Sequence, residues 1–168
     1  MAREKLILTG FMGMGKSTVG RKSAELLELP YNDTDDWMEA RAQIDIPELV
    51  RADIVKFREL EAATLQEILG ETSGIVSTGG GIVSTEVGRK ALRATGAPVI
   101  WLRAPFEAAE RRVMQDTGRE RPLFSDVTKA RALYEERMGW YEETASHVID
   151  ASQPLELVAD RVVQIARS

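Results

Sequence analysis

The chain has 168 residues, of which 43% are hydrophobic and 29% charged, and this balance is typical of a folded globular protein rather than a disordered or fibrous one. The lack of cysteine in the sequence excludes disulfides, thiolate metal sites and a thiol nucleophile. A formal net charge of −5 argues against a nucleic-acid or anionic-membrane partner, so an anionic ligand needs local positive charge.

The N-terminal segment and the even composition indicate a cytoplasmic protein with one domain. The first ten residues contain few apolar side chains and run directly into a Gly-rich segment, which resembles neither a signal peptide nor a membrane span. No Pro, Ser or Gly tract and no fixed-period repeat divides the sequence. We therefore expect a single domain over residues 1–168.

Short apolar runs alternate with helical patterns along the chain. Strands are predicted at 6–8, 75–76, 99–102 and 147–149, and a short additional strand is compatible with residues 29–31. Strands that alternate with helices of ten or more residues indicate an α/β fold with a parallel sheet covered by helices on both faces. Such sheets bind their ligands at the carboxyl ends of the strands.

The first predicted strand is followed directly by a phosphate-binding motif. Residues 10–17 read Gly-Phe-Met-Gly-Met-Gly-Lys-Ser and match G-x-x-x-x-G-K-[ST] at every fixed position. Glycines allow successive backbone N–H groups to surround a polyphosphate at the N-terminus of the next helix. Lys16 would supply a cation for the β and γ phosphates, and the Ser17 hydroxyl an oxygen ligand for Mg²⁺. The motif predicts a nucleoside triphosphate site.

Two aspartates, Asp33 and Asp35, follow the possible short strand. In an extended segment, residues two apart point to the same side, so one carboxylate could hold the metal while the other faces a substrate. A helix N-terminus explains the same residues, because Asp is favoured in caps and first turns. The two interpretations are compatible.

Three further features lie beyond the aspartates. Arg58 and Glu61, at i and i+3, are most simply a solvated helix pair. Three glycines at 79–81 leave a buried strand, where they allow close approach to a ligand or form a plain turn. The charged segment 116–124 has the composition of a mobile lid rather than of core, and Arg137 lies in the helix that follows.

The remaining sequence separates the classes of P-loop protein. The chain has no Asn-Lys-x-Asp run, which a GTPase uses to recognise its base. The strand ending at Leu102 continues with Arg-Ala-Pro rather than Asp-Glu, which argues against a motor or AAA-type ATPase. A small-molecule kinase is favoured, and a non-catalytic nucleotide-binding switch remains as an alternative.

These elements, in this order, resemble the shikimate kinase family. The shared motifs are G-x-x-x-x-G-K-[ST], D-x-D, F-R-x-x-E, G-G-G, R-P-L and an Arg ahead of a Tyr, and they extend from about residue 6 to about residue 150. The resemblance implies a three-layer P-loop fold like that of the nucleoside monophosphate kinases, with a five-stranded parallel sheet flanked by helices. It also implies a helical substrate-binding segment at about 33–61 and a lid at about 114–126.

The resemblance further implies transfer of the γ-phosphate of ATP to the 3-hydroxyl of shikimate, within the chorismate pathway to the aromatic amino acids. The expected partners are ATP and shikimate, with Mg²⁺ as cofactor, no nucleic acid and no membrane, and the enzyme is expected to be a monomer. A gluconate or nucleotide kinase is the alternative within the same architecture.

The family pattern also gives each site residue a role. Ser17 and Asp33 would hold Mg²⁺, and Lys16, Asp35 and Arg121 would act in phosphoryl transfer. The residues implied to bind ATP are Gly13, Met14, Gly15, Lys16, Ser17, Thr18, Arg112 and Arg121. The residues implied to bind shikimate are Asp35, Arg58, Gly79, Gly80, Gly81 and Arg137. Arg112 would contact adenine, with the adjacent Arg111 left open as an alternative.

Physical chemistry supports these implied roles. Shikimate is a small anion, and Arg is the side chain that pairs with a carboxylate through two parallel hydrogen bonds. Phosphoryl transfer depends on positioning and charge neutralisation, which Lys16, Mg²⁺ and Arg121 would supply. Because an ordinary aspartate is a weak base at neutral pH, Asp35 would mainly orient the attacking hydroxyl.

Overall fold

The computed structural model describes residues 3–43, 45–116 and 124–168. The described residues form five strands, eight α-helices and one 3-10 helix. In chain order these are β1 (Lys5–Thr9), α1 (Lys16–Leu27), β2 (Tyr31–Asp33), α2 (Thr34–Ala42), α3 (Ile46–Ala52), α4 (Ile54–Glu71), β3 (Gly74–Ser77), the 3-10 helix (Gly80–Ser84), α5 (Glu86–Arg93), β4 (Val99–Arg103), α6 (Phe106–Gln115), α7 (Val127–Thr144), β5 (His147–Asp150) and α8 (Leu155–Arg167).

The five strands form one parallel sheet in the order β2-β3-β1-β4-β5. The central strand β1 pairs with β3 in a register that aligns Leu6 with Ile75, and with β4 in a register that aligns Leu8 with Ile100. β2 pairs with β3, and β4 pairs with β5, also in parallel. The predicted α/β fold with a five-stranded parallel sheet is therefore confirmed, and the possible short strand is present but lies at Tyr31–Asp33 rather than at 29–31.

The middle of the sheet is covered on both faces. The side chains of Leu6, Ile7 and Leu8 are all 0% exposed. Since successive strand residues point to opposite faces, an unbroken buried run requires packing on each side. β1 lies between β3 and β4, which the chain reaches in opposite directions, so a crevice opens at the carboxyl ends of these strands. The P-loop begins at this crevice.

A second, smaller hydrophobic cluster lies within the predicted substrate-binding segment. Met38 of α2, Leu49 of α3 and Phe57 of α4 pack together as a group separate from the main core. The helices that carry them begin at capped positions: the side chain of Asp45 accepts a hydrogen bond from the backbone of α3, and that of Asp53 from the backbone of α4. Segment 33–61 thus has its own local core.

The predicted lid at 114–126 differs from expectation at both of its ends. α6 continues to Gln115, so the first two residues of this range are helical, and Phe124 is only 8% exposed and belongs to the main core. The Phe124 ring stacks on Phe106 with a centroid distance of 5.6 Å and an interplanar angle of 4°. The charged composition predicted exposure and was wrong for Phe124, because composition does not show whether a single aromatic ring packs in the core. Arg121, the predicted catalytic residue of the lid, lies outside the described residues.

Across the described ranges, the structure contains no helix with the length and apolar character needed to cross a membrane.

Candidate active site

A cleft of about 670 Å³ opens at the carboxyl ends of the strands. Its lining includes most of the predicted site residues, namely Gly13, Met14, Gly15, Lys16, Ser17, Thr18, Asp33, Asp35, Gly79, Gly80 and Arg112. These residues come from the segments that follow β1, β2 and β3, and from α6. Parallel strands that end at one edge bring segments that are distant in sequence to the same place.

The P-loop connects β1 to α1 through backbone conformations that favour glycine. Gly10, Gly13 and Gly15 all have positive φ, and Gly15, with φ of 82°, is the N-cap of α1. A Cβ atom at Gly13 would lie 2.8 Å from the carbonyl oxygen of Ala109, so a larger residue would displace the loop from α6. The loop therefore leads directly into the N-terminus of α1, where free backbone N–H groups favour the binding of anions.

The ammonium group of Lys16 lies against this loop. Its Nζ donates hydrogen bonds to the carbonyl oxygens of Gly10, at 2.7 Å, and Phe11, at 2.9 Å. Phe11 is itself 1% exposed and packs edge-on against Tyr134. The loop thus holds the Lys16 ammonium, the predicted phosphate-binding cation. The Phe11 side chain fixes the loop to the core.

Met14 lies at the wall of the cleft but is itself buried. Its side chain is 1% exposed and belongs to the main core, while its N–H donates to the carbonyl oxygen of Phe11 at 3.3 Å. Phe11 and Met14, which the motif leaves variable, therefore attach the loop to the protein interior.

Ser17 and Asp33, the predicted metal ligands, are in contact. Ser17 Oγ donates to Asp33 Oδ2 at 3.0 Å. Asp33 Oδ1 caps α2 and accepts hydrogen bonds from the backbone N–H groups of Asp35, at 2.8 Å, and Asp36, at 3.4 Å. The same aspartate therefore acts as a helix cap and faces the hydroxyl of the P-loop.

Asp33 and Asp35 do not share one side of an extended segment, so that interpretation is wrong, whereas the alternative of a helix N-terminus is confirmed. Asp33 ends β2, whereas Asp35 lies in the first turn of α2. Asp35 reaches the cleft because the helix begins there, not through strand alternation. Thr34, between the two aspartates, is fully buried and accepts a hydrogen bond from the backbone N–H of Gly79 at 3.1 Å, which ties α2 to the glycine segment.

Arg58 and Glu61 form a buried ion pair, so the expectation of a solvated helix pair is also wrong. Arg58 Nη1 lies 2.9 Å from Glu61 Oε1, and the two side chains are 10% and 1% exposed. Burial raises the pKa of the Glu61 carboxyl above its ordinary value, while the Arg58 charge opposes that shift. The i, i+3 spacing of the pair on a helix is visible in the sequence, but the burial of the two side chains is not.

Arg137 lies beside this pair. It is 2% exposed, and its Nε donates to Ser84 Oγ at 3.1 Å. Desolvation by burial, together with the positive charge of Arg58, lowers the pKa of the Arg137 guanidinium, while Glu61 opposes the shift. Tyr141, one turn further along α7, donates a hydrogen bond to the carbonyl oxygen of Gly80. Three charged side chains with a net charge of +1 are therefore enclosed together.

The glycine segment separates the arginine cluster from the cleft. Gly79 and Gly80 line the cleft, whereas Gly81 faces Arg58. A Cβ atom at Gly81 would lie 2.0–2.2 Å from atoms of the Arg58 guanidinium, so only glycine allows this approach. Arg58, Gly81 and Arg137 lie next to one another beside the glycines that line the P-loop cleft, and we call this cluster the arginine compartment.

Arg112 bridges the P-loop and the segment that follows β5. Its Nη1 donates to the carbonyl oxygen of Gly13 at 3.2 Å, and its Nη2 to that of Ala151 at 2.8 Å. The neighbouring Arg111 is exposed and does not line the cleft. Of the two arginines that the sequence left open, the structure places Arg112 at the site.

Comparison with known proteins identifies the family of this site. The family model described as shikimate kinase matches residues 12–167. A shikimate kinase from Streptococcus suis is 38% identical over 163 residues, which cover 94% of this chain and 98% of that protein. The chain belongs to the shikimate kinase family. The predicted family and its phosphotransferase class are thereby confirmed.

Solved structures agree with membership of the shikimate kinase family. The structure of shikimate kinase from Acinetobacter baumannii in complex with shikimate has a TM-score of 0.89 and 30% identity, and the match covers 97% of this chain and 92% of that one. A gluconokinase from Sinorhizobium meliloti has a TM-score of 0.64 and 17% identity over 98% of this chain and 91% of that one, a likeness of fold alone.

Two polar residues of this shikimate kinase family member went unassigned in the sequence. Glu61 could have been predicted as a site residue because it is the last residue of the F-R-x-x-E motif. Tyr31 donates its hydroxyl to Asp33 Oδ2 at 3.2 Å, and its signal was its position two residues before Asp33 in a strand. Burial, together with the negative charge of Asp33, raises the pKa of Tyr31 to about 12, so its hydroxyl stays protonated at neutral pH.

Proposed function

We propose that this chain transfers the γ-phosphate of ATP to the 3-hydroxyl of shikimate, giving ADP and shikimate 3-phosphate on the chorismate pathway to the aromatic amino acids. The observation that carries the proposal is the buried arginine pair, Arg58 and Arg137, which adjoins a P-loop cleft across a segment of three glycines. One compartment suits a polyphosphate and the other a carboxylate. Shikimate carries the carboxylate, and it is the molecule named in the structure of the Acinetobacter relative.

ATP would enter with its phosphates at the P-loop. The backbone N–H groups of residues 13–18 and the Lys16 ammonium, which lies against the loop, would stabilise the negative charge of the phosphates. Arg112 lines the same cleft at its contact with Ala151, which favours its predicted place beside adenine.

The oxygen atoms of Ser17 and Asp33 fit Mg²⁺. One hydroxyl and one carboxylate, 3.0 Å apart at the P-loop, are hard ligands of the type Mg²⁺ prefers. Within the described ranges no three His, Asp or Glu side chains form a metal site by themselves, in keeping with a cation that is held mainly by phosphates and water. Ser17 and Asp33 would hold Mg²⁺ beside the phosphates, where the ion would supply positive charge against theirs.

Shikimate would bind with its carboxylate on Arg58 and Arg137. Arg58 pairs with Glu61, and the Arg137 guanidinium is buried beside this pair, so the two cations together would attract a carboxylate. Glycines at 79–81 would border the ring, and Asp35, which lines the cleft, would orient the hydroxyl that attacks the phosphate.

Arg121 and the lid around it complete the proposal. The charged lid would close over both substrates, exclude water that would otherwise hydrolyse ATP, and bring a further cation to the transferring phosphate. We further propose that the chain is a single kinase domain that acts as a monomer in the cytoplasm, where ATP is supplied. Sedimentation of the purified protein should then give the chain mass of 18.7 kDa.

The decisive experiment measures ADP release from ATP and Mg²⁺ with shikimate, gluconate or a nucleoside monophosphate as acceptor, against a blank without acceptor. Turnover with shikimate alone is expected. Turnover with another acceptor would overturn the substrate, and nucleotide binding without acceptor-dependent turnover would favour a switch.

The arginine compartment is tested separately with Arg58→Ala. This variant should weaken shikimate binding and leave ATP binding intact, because Arg58 does not line the ATP cleft. Unchanged shikimate affinity would contradict its role.

A further inference from the structure

We propose that Tyr31 is a positioning residue for the metal site: its hydroxyl holds the Asp33 carboxylate in the orientation that binds the nucleotide-bound cation. This inference rests on the proposed magnesium site at Ser17 and Asp33. It concerns a residue outside the motifs that identify the family.

The two oxygens of the Asp33 carboxylate accept hydrogen bonds from different parts of the protein. Oδ1 is occupied by backbone N–H groups at the start of α2, so the plane of the carboxylate is set by the helix. Oδ2 accepts from Ser17 Oγ at 3.0 Å and from the Tyr31 hydroxyl at 3.2 Å. Ser17 belongs to the P-loop and would turn toward a bound cation. Tyr31 is therefore the donor that holds Oδ2 independently of the ligand.

The position of the Tyr31 ring is itself specified by the structure. Tyr31 and Asp33 are two residues apart in β2 and so share one side of the strand. The ring lies against α1 at Gly20, where an added Cβ atom would be 2.5 Å from Tyr31 Cε2 and 2.8 Å from Ser77 Oγ. The Arg21 guanidinium carbon lies 4.6 Å from the ring centroid.

A glycine inside a helix is unfavourable unless it serves a purpose. At Gly20 the purpose visible in the structure is space for the Tyr31 ring beneath the P-loop helix. The helix that carries Ser17 and the strand that carries Asp33 are thus fitted to each other through Tyr31. Hydrogen-bond partners of metal-binding carboxylates commonly tune metal affinity by 10–100-fold.

The test compares Tyr31→Phe with the unsubstituted protein in a titration of the protein–ADP complex with Mn²⁺, followed by the electron paramagnetic resonance signal of the free ion. Phenylalanine keeps the ring that fills the space at Gly20 and removes only the donor. We expect roughly tenfold weaker Mn²⁺ binding, with a similar rise in the Mg²⁺ concentration for half-maximal turnover. Affinity for ADP in EDTA and the thermal midpoint should not change.

The matched control is Tyr134→Phe. The Tyr134 hydroxyl also donates one hydrogen bond, but to the carbonyl oxygen of Ala104 at 2.8 Å and not to a predicted metal ligand. Unaltered Mn²⁺ affinity in Tyr31→Phe, or an equal loss in the control, would show that Tyr31 has only a structural role and would overturn the inference.

A third variant, Asp33→Asn, separates this inference from the proposed function. If Asp33→Asn weakens Mn²⁺ binding while Tyr31→Phe does not, the metal site stands and the role of Tyr31 is refuted. If Asp33→Asn has no effect on Mn²⁺ binding, the metal site itself is refuted, and the role of Tyr31 with it.

Discussion

At the scale of single residues, the site is distinguished by charges placed where water cannot reach them. Arg137 and Glu61 are 2% and 1% exposed, and Arg58 is nearly as buried. Burying a charge is costly unless it is paired, and among these three side chains two cations accompany one anion. In a protein of net charge −5, this cluster is a local concentration of positive charge, which the proposed function assigns to an acidic substrate.

Lys16→Ala should reduce turnover by about 100-fold or more, because it removes a cation aimed at the charge that develops on the transferring phosphate. The Lys16 ammonium donates hydrogen bonds to the loop carbonyls of Gly10 and Phe11, so the thermal midpoint should change little. Steady-state assays of ADP release, with thermal unfolding as the control, test both statements. Turnover within a few-fold of the unsubstituted enzyme would remove Lys16 from the mechanism.

Glu61 should make the stability depend on pH. Because burial raises the folded-state pKa of Glu61 above its ordinary value of 4.5, the folded protein binds this proton more tightly than the unfolded chain. The stabilising contribution is therefore complete below 4.5 and is lost as the pH rises through the folded-state value.

Glu61→Gln removes this titration. The free energy of unfolding of the unsubstituted protein, minus that of Glu61→Gln, should decrease with rising pH above about 4.5. Urea unfolding of both proteins at a series of pH values measures the difference. A difference that stays constant, or that rises with pH, would mean that the Arg58 charge outweighs burial.

At the scale of elements, glycines decide how closely segments approach. Gly81 in the 3-10 helix faces the Arg58 guanidinium, whereas Gly139 in α7 has open space where its side chain would be. The same residue type therefore has a packing role at one position and none at the other. A pair of alanine substitutions separates the two cases.

Gly81→Ala should lower kcat/KM for shikimate by up to about 100-fold, because a displaced Arg58 misplaces the substrate. KM for ATP should stay within a few-fold, since Gly81 does not line the ATP cleft. Steady-state kinetics with each substrate varied in turn give the two values. Loss of ATP affinity in parallel would indicate that the whole segment has moved.

Gly139→Ala is the matched control. An added Cβ meets nothing within 4 Å, and alanine in a helix interior is more favourable than glycine by about 1 kcal/mol. We expect a higher thermal midpoint, by roughly 2–4 °C, and unchanged kinetics. A lower midpoint would show that Gly139 has a packing role.

At the scale of the whole molecule, the two compartments adjoin both hydrophobic clusters, and α4 contributes side chains to each cluster. The P-loop rests on the main core through Phe11 and Met14, whereas Arg58 lies in the helix that carries Phe57 of the smaller cluster. Ligands bound across this boundary would couple the two cores.

Each ligand should therefore stabilise the protein, and Arg58 should be required for stabilisation by shikimate but not by ADP. ADP or shikimate at about 100 times its dissociation constant should add about 2.7 kcal/mol, or roughly 5–10 °C in the thermal midpoint. In Arg58→Ala, at the same ligand concentrations, the shift caused by shikimate should disappear and that caused by ADP should persist. Thermal unfolding followed by fluorescence distinguishes these outcomes, and loss of both shifts would contradict separate compartments.

Local features of this protein could be predicted from its sequence. The predicted strands at 6–8, 75–76, 99–102 and 147–149 all lie within observed strands. For the first three, the apolar run reports burial on both faces of the sheet, whereas in β5 only Ile149 is buried. The P-loop was equally predictable, since consecutive backbone groups surround the phosphates and the motif is contiguous. Membership of the shikimate kinase family followed from the order of such motifs.

Only the tertiary structure decided which polar side chains meet. Arg58 and Glu61 look like a solvated pair in the sequence, and burial by distant segments makes them an internal ion pair. Tyr31 contacts Asp33 and Gly20 because β2 packs beneath α1, and Phe124 enters the core because Phe106 offers a ring to stack on. Periodicity reports which face of an element is apolar, but burial of a charge depends on partners far along the chain, such as Ser84 for Arg137.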